Sequence, residues 1–316
     1  MTMPGEQLEE EVGRDELGTG TTGESPVRAA GGSSRLSLVL RRFRGSPQSL
    51  VGLVLLLGLF LLAFVGPYLA PYSYLDKDFT AFLEPPSPQH WFGTTPVGQD
   101  VFAITLRGMQ KSLVVGLLVA LISTTVAGIV GAFAGYFLGW TDRGLMWLAD
   151  LLLVLPAFLI IAIVSPLFRG NTWLLFVVLL AAFLWMVTAK IVRGMTISLK
   201  EREYVQAARF MGVSAPKIIF RHILPNLSSL LIVDATINVS AAILAETALS
   251  YFGFGVQPPD ISLGTLISQG QTSAVTYPWL FFFAVGLLII TVLAVNLVGD
   301  GLRDALDPRA RSRRAN

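Results

Sequence analysis

The chain has 316 residues, of which 53% are hydrophobic and 14% charged, and its formal net charge is +2. Soluble chains carry about a quarter of their residues as charges, so this composition excludes an ordinary soluble enzyme and makes lipid the solvent for most of the surface. Cysteine is absent, which excludes disulfide and thiolate chemistry, and the two histidines, His90 and His222, are too far apart in sequence to suggest a metal site.

Residues 1–40 are rich in Gly, Thr, Ser and Glu and read as a disordered tail. The first span, Leu50 to Ala70, holds twenty-one residues without a charge. As a helix it reaches roughly 32 Å, enough to cross the hydrocarbon core. It lies too far into the chain, and is too long, for a cleaved signal peptide. An external loop over 71–111 follows, with Asp100 placed to cap a short amphipathic helix bearing Val101, Ile104 and Leu106. That helix reads either as part of a lid or docking surface, or as an interfacial anchor for the next span.

Span two runs from about Ser112 to Leu138, and its Gly128, Gly131 and Gly135 read as close helix contacts. Span three, Leu145 to Phe168, is interrupted by Pro156 and Pro166, which a membrane helix tolerates when neighbours satisfy the freed carbonyls. Asp150 sits one turn into it, within reach of Arg143. Span four covers Thr172 to Val192, span five Leu227 to Phe252, and span six Trp279 to Val298, with a second external loop at 253–278. The expected fold is therefore all-α, a single six-span membrane domain over residues 41–300 with a short tail at 301–316.

Lys and Arg set the orientation. Arg35, Arg41, Arg42 and Arg44, then Arg143, then Lys190, Arg193, Lys200, Arg202, Arg209, Lys217 and Arg221, then Arg303 and the terminal arginines all fall on one side. Lys77, Arg107, Lys111 and Arg169 fall on the other. Both termini are expected in the cytoplasm.

The loop 196–225 is a polar island between apolar runs. Tyr204, Ala207, Ala208 and Met211 recur at i, i+3, i+4 and i+7, one stripe of a short helix edged by Arg202, Glu203 and Arg209. Gly212 stands where a left-handed residue would end that helix, and Ser214 with Pro216 would start a second one leading to Pro225 and span five. Two readings fit the pattern, insertion into a groove on a soluble protein and a helix lying on the bilayer.

Within span five, Asp234 and Asn238 are four residues apart and share a helix face. Glu246 lies twelve residues beyond Asp234. That offset is roughly 120° around and 18 Å along the helix, which rules out a carboxylate dyad. Asp234, Asn238 and Glu246 are candidates for a translocation path or a partner interface, and Glu246, nearer the outer end, is placed to meet a cationic group on the substrate or an arginine of a partner. No P-loop motif and no Gly-Lys pair occurs, so the chain supplies no site for nucleotide phosphates. No cofactor, metal or nucleic acid is expected.

Ala207, Ala208, Gly212, Leu224 and Pro225 resemble the EAA loop of ABC-importer permeases, with Gln206 and His222 as departures. The Arg221 to Asn226 ending resembles the dipeptide, oligopeptide and nickel branch of that family. Phe92-Gly93-Thr94 with Gly98-Gln99-Asp100, the stretch Ala245 to Pro259, and Asn296 to Pro308 resemble further motifs of that branch. The chain is similar to a C-type permease subunit with the type I importer fold. The resemblance implies a peptide importer built with a second homologous permease, two ABC ATPase subunits and an extracytoplasmic binding protein in the bacterial inner membrane. It implies that Glu203, Tyr204, Ala207, Ala208, Met211 and Gly212 couple the chain to the ATPases, which hydrolyse the ATP. Importers of nickel chelates, haem or glycosides share these motifs. An ion-coupled secondary transporter would show paired intramembrane carboxylates or inverted repeats, and neither is evident.

Overall fold

The computed structural model describes residues 35–165 and 173–306. The N-terminal stretch, Pro166, Arg169, the start of the expected fourth span and the terminal arginines lie outside the described residues. Within them the chain is helical, and its one β feature is an antiparallel bridge between Thr94 and Asp100.

Helix α1 (Arg35–Arg44) precedes α2 (Pro47–Phe64), whose first turn carries the proline that a helix start accommodates. The short α3 (Gly66–Leu69) completes the first expected span. Helix α4 (Val101–Phe137) has 37 residues, about 55 Å at helical rise, and is the buried axis of the molecule. Here the structure departs from the sequence reading. The expected amphipathic helix at Val101 does not stand apart but runs unbroken into span two. Val101, Ile104 and Leu106 are all buried, so this stretch is a core element and not an interfacial one.

Helices α5 (Gly139–Val154) and α6 (Ala157–Val164) form a pair bent by 81°. The bend falls at Pro156, whose ring drives Leu155 into an extended conformation with ψ 131°. Helices α7 (Trp173–Leu184) and α8 (Met186–Lys200) are bent by 48° at Trp185. No proline or glycine causes this second bend. The Trp185 indole N–H donates to the Ala182 carbonyl at 3.0 Å, a carbonyl that a straight helix would offer to Met186.

Helix α9 (Glu203–Phe210) and α10 (Ala215–Ile218) follow, and a π turn (Ile219–Ile223) joins α10 to α11 (Leu224–Tyr251). The chain closes with α12 (Leu263–Gly270) and α13 (Trp279–Leu306). Four helical segments are long and apolar enough to cross a membrane, and counting each bent pair as one span makes six.

The core is a chain of apolar clusters strung along α4. One, around Leu106, Met109, Ile243 and Leu263, joins α2, α4, α11, α12 and α13 near the start of α4. Another, around Ala132, Val192, Ile219 and Leu227, joins α4, α8 and the α9–α11 region near its end. At this second cluster α4 and α8 cross with almost no separation. A Cβ on Gly131 would lie 2.4 Å from the Ala189 carbonyl oxygen, and one on Gly135 2.6 Å from that of Arg193. Gly128 differs, since its added Cβ would make ordinary contact with Leu231 at 3.4 Å.

Candidate functional site

Helix α9 is held from below and bare above. Val205 and Ala208 point into the core with Ile218, Ile219 and Tyr136, while Tyr204, Phe210 and Met211 are exposed at 43%, 87% and 77%. Glu203, Gln206 and Ala207 share the exposed side. This corrects the expected stripe at one position: Ala208 is an anchor, not part of the outer face, because the inward direction is set by Val205 three residues earlier. Phe210, which the i, i+3, i+4 pattern left out, is the most exposed large side chain of the element.

The end of α9 is a Schellman motif. Gly212, at φ +77°, donates its N–H to the Arg209 carbonyl, and Val213 donates to that of Ala208. Val213 then packs on the same apolar cluster as Ala208. Ser214 occupies the N-cap position of α10 in an extended conformation, without a side-chain cap bond. Gln206 donates back to the Glu201 carbonyl at 3.4 Å, so it makes a local turn contact where the family pattern has an acid.

Pro225 does not break the path to span five. It has no N–H, and its ring conflicts with the carbonyl four residues back, that of Arg221. Arg221 lies in the wider π turn, which moves that carbonyl aside. Asn226 Nδ2 donates to the His222 carbonyl at 2.6 Å and satisfies a second one. The Arg221 to Asn226 motif thus carries its helix through the proline, and residues Ala215–Tyr251 form one continuous rod.

Inside the bundle, Asp234 joins three spans. Thr124 on α4 donates to its carboxylate at 3.1 Å, Thr188 on α8 at 2.7 Å, and Asn238 at 2.9 Å. Asp234 is half-buried and Asn238 buried, so both spend their polar atoms within the chain. Glu246 is fully buried. It accepts from Ser112 Oγ on α4 at 2.9 Å and from Ser250 Oγ at 2.6 Å. The same hydroxyls accept in turn from the backbone N–H groups of Leu263 and Val256. The sequence places Glu246 to meet a cationic group on the substrate or a partner; among the described residues its partners are hydroxyls, and within this chain it is buried. Ser112, Thr124, Thr188 and Ser250 had no sequence signal, because a lone hydroxyl in an apolar run looks the same whether or not a carboxylate waits on another helix.

Near the start of α4 the loop 71–100 is gathered around His90. Its Nδ1 lies 2.9 Å from Asp100 Oδ2, its ring stacks on Tyr72 at 4.6 Å, and Asp100 Oδ1 accepts from the Ala103 N–H at 2.8 Å. Asp100 is thus the expected helix cap. Nearby Asp78 is held below the usual carboxylate range, first by the Thr80 hydroxyl and backbone N–H. Lys111 Nζ pairs with Asp260 at 2.8 Å and sits 4.3 Å over the Trp173 ring, tying α4 to α7 and to the loop before α12.

Two further ion pairs join α5 to α8. Arg193 grips both carboxylate oxygens of Asp142. Asp150 pairs with Lys190, not with the expected Arg143, whose guanidinium lies over Trp140 instead. Arg143 is seven residues before Asp150, and the two stand a full two turns apart along α5. The Lys190 and Asp150 side chains are 41% and 61% exposed. Facing lipid, each charge would cost about 2.5–3.5 kcal/mol on insertion scales.

Residues 127–312 match the family model described as the inner membrane component of binding-protein-dependent transport systems. Residues 34–86 match the N-terminal transmembrane domain of oligopeptide transport permease C. The chain belongs to this family of ABC-transporter permease subunits, multi-pass proteins of the inner membrane. It is 55% identical over 283 residues to the oligopeptide transport system permease protein OppC of Mycobacterium tuberculosis, covering 89% of this chain and 97% of the relative. A putative peptide permease protein of Brucella suis is 39% identical over 271 residues, covering 85% and 89% of the two chains. The OppC protein of Bacillus subtilis is 36% identical over 272 residues, covering 85% and 88%.

Proposed function

We propose that this chain is the C-type membrane subunit of an ATP-driven importer of oligopeptides. It lines half of the translocation path beside a second homologous permease. Two ABC ATPase subunits dock on the α9 end, an extracytoplasmic binding protein delivers cargo to the other, and both termini lie in the cytoplasm. Identity to relatives named as oligopeptide permeases over nearly their whole length supports the cargo class. The Lys and Arg distribution supports the orientation.

The carrying observation for the coupling step is the build of α9. Its outer face presents Tyr204, Ala207, Phe210 and Met211, and its inner face locks through Val205 and Ala208 onto the rod that becomes span five. A push on that outer face would reach the span through the packing of Val205 and Ala208 on Ile218 and Ile219. The Gly212 turn fixes the angle between the docking helix and the rod.

Gly212→Asp tests this. A Cβ at Gly212 meets nothing within 4 Å, so the substitution acts through the left-handed backbone and through the negative charge it places at the C-terminal end of α9, where the helix dipole disfavours it. That conformation costs a non-glycine residue about 1–2 kcal/mol. The expected outcome in the reconstituted complex is normal membrane insertion with peptide-stimulated ATPase activity lost or no longer matched by uptake. Normal coupling ratios in the variant would refute the lever. Stimulation by a nickel chelate or glycoside, with none by peptides, would refute the cargo class.

A further inference from the structure

Helix α1 packs on the bundle by one side only. Phe43 is buried with Val298 and Ala305 of α13, and Val39 and Leu53 pack on the same cluster. Arg42 Nη1 donates to the Ala305 carbonyl at 3.4 Å, so this guanidinium is turned to the protein. The other side of the helix carries Leu40, Arg41 and Arg44, all exposed and within about 100° of arc at helical spacing. Among the described residues, a groove of about 510 Å³ along this side is lined by Ser37, Leu40, Arg41, Arg44 and Gly45.

Charge partners separate these two arginines from the basic residues of α4, α5 and α8. Lys111, Lys190 and Arg193 each pair with a carboxylate, and Arg107, Arg143 and Lys200 lie over aromatic rings. No carboxylate among the described residues pairs with Arg41 or Arg44, and the sequence from Arg35 to Leu75 contains no acid. The chain itself fixes their level. Only Gly45 and Ser46 separate α1 from α2, which is long and apolar enough to cross the membrane. Arg44 stands six residues before Leu50, where the uncharged run of span one begins, so both guanidiniums lie at the headgroup layer. Two guanidinium forks at that level can grip the oxygens of one phosphate, as the planar geometry of arginine favours. Leu40, 49% exposed between them, offers the apolar contact that an acyl chain needs. An acidic soluble protein would complement the arginines but would leave that leucine unmatched.

We propose that Arg41 and Arg44 form a site for the phosphate of an anionic phospholipid, with its acyl chain lying on Leu40. The bound lipid ties α1 to the bilayer surface and, through Arg42, the end of α13 with it. The inference uses the membrane spans of this chain and is independent of its cargo.

The chain lacks cysteine, so Gln48→Cys, exposed in the first turn of α2, gives the full-length chain one thiol for a fluorophore. In nanodiscs of phosphatidylglycerol and phosphatidylcholine at one fixed ratio, either lipid is supplied in brominated form and quenching is read. Each basic side chain near an anionic surface contributes about fivefold in binding, so the parent should favour phosphatidylglycerol roughly 25-fold. Arg41→Gln with Arg44→Gln should bring that preference close to unity, whereas Arg41→Lys with Arg44→Lys should keep most of it. Arg303→Gln, which removes an exposed arginine of α13 outside this face, should leave it unchanged. Equal quenching by the two lipids in the parent overturns the inference. So does an equal loss from Arg303→Gln, since a diffuse surface field and not a site then gathers the lipid. It is also overturned if the preference appears only after Glu9, Glu10 and Glu11 are changed to glutamine, because the acidic N-terminal segment then occupies the arginines.

Discussion

At Glu246 the carboxyl oxygens accept from hydroxyls on two elements, Ser112 and Ser250, and those hydroxyls reach on to the backbone of Val256 and Leu263. The group therefore fastens α4, α11 and the start of α12 at one point, with hydroxyls in the role a cation would otherwise take. Two substitutions separate this fastening from any role for charge. Glu246→Gln keeps an acceptor and an amide that can donate to the same hydroxyls, so the purified complex should melt close to the unmodified one. Glu246→Ala orphans two buried hydroxyls and leaves a void, at a cost of about 2–4 kcal/mol, and should lower the melting temperature clearly. Equal melting temperatures for the alanine variant and the parent would remove the structural role. Asp234 obeys the same rule, since its three donors come from two other helices and from its own next turn. Sequence makes the carboxylates visible as costly residues in apolar spans. It leaves their partners dark, because serine and threonine are cheap in a helix and announce nothing about the helix they face.

Helix crossings are governed by what is missing as much as by what is present. Gly131 and Gly135 let α8 approach until its carbonyls touch α4, and a backbone oxygen cannot move aside as a side chain can. Gly131→Ala should therefore destabilise the subunit by about 1–3 kcal/mol through overpacking. Gly194→Ala, on the open face of α8 where an added Cβ meets nothing, should be neutral or slightly stabilising. Thermal denaturation of the two variants in one detergent compares them, and an equal loss in both would mean that helix propensity and not contact decides. The GxxxG spacing is legible in the amino-acid sequence, as are the six apolar runs, the break at Pro156 and the helix end at Gly212. The bend at Trp185 is not, since it depends on an indole finding a carbonyl three residues back. Nor is the fusion of Val101–Phe137 into one helix. Arg107, Gln110 and Lys111 interrupt the apolar run there, and only the fold supplies Gln110 with the Ala63 carbonyl and Lys111 with Asp260.

Over the whole molecule, the proposed function requires force to travel from α9 to the spans, and the two faces of α9 would divide that task. In that proposal the outer face would hold the ATPase subunit during its power stroke. Phe210 and Met211, 87% and 77% exposed on an otherwise polar surface, are the side chains a groove would enclose. The inner face would pass the motion on through Val205, which is buried to 2% exposure among Ile218, Ile219 and Leu227. Truncating each side should thus give opposite defects. Phe210→Ala removes an aromatic anchor and should weaken ATPase association at least about tenfold, as interface hot spots do, while leaving the melting temperature of the isolated permease unchanged. Val205→Ala leaves the docking face intact, so the ATPases should remain bound. It opens a small cavity beneath the lever, however, costing about 1–2 kcal/mol of stability and loosening the link between hydrolysis and uptake. Co-purification of the ATPase subunits, measured beside the coupling ratio in proteoliposomes, reads both. If Phe210→Ala retained its ATPases while Val205→Ala lost them, the docking surface would lie on the other side of the helix, and the lever would have to be sought in the α1 and α13 end instead.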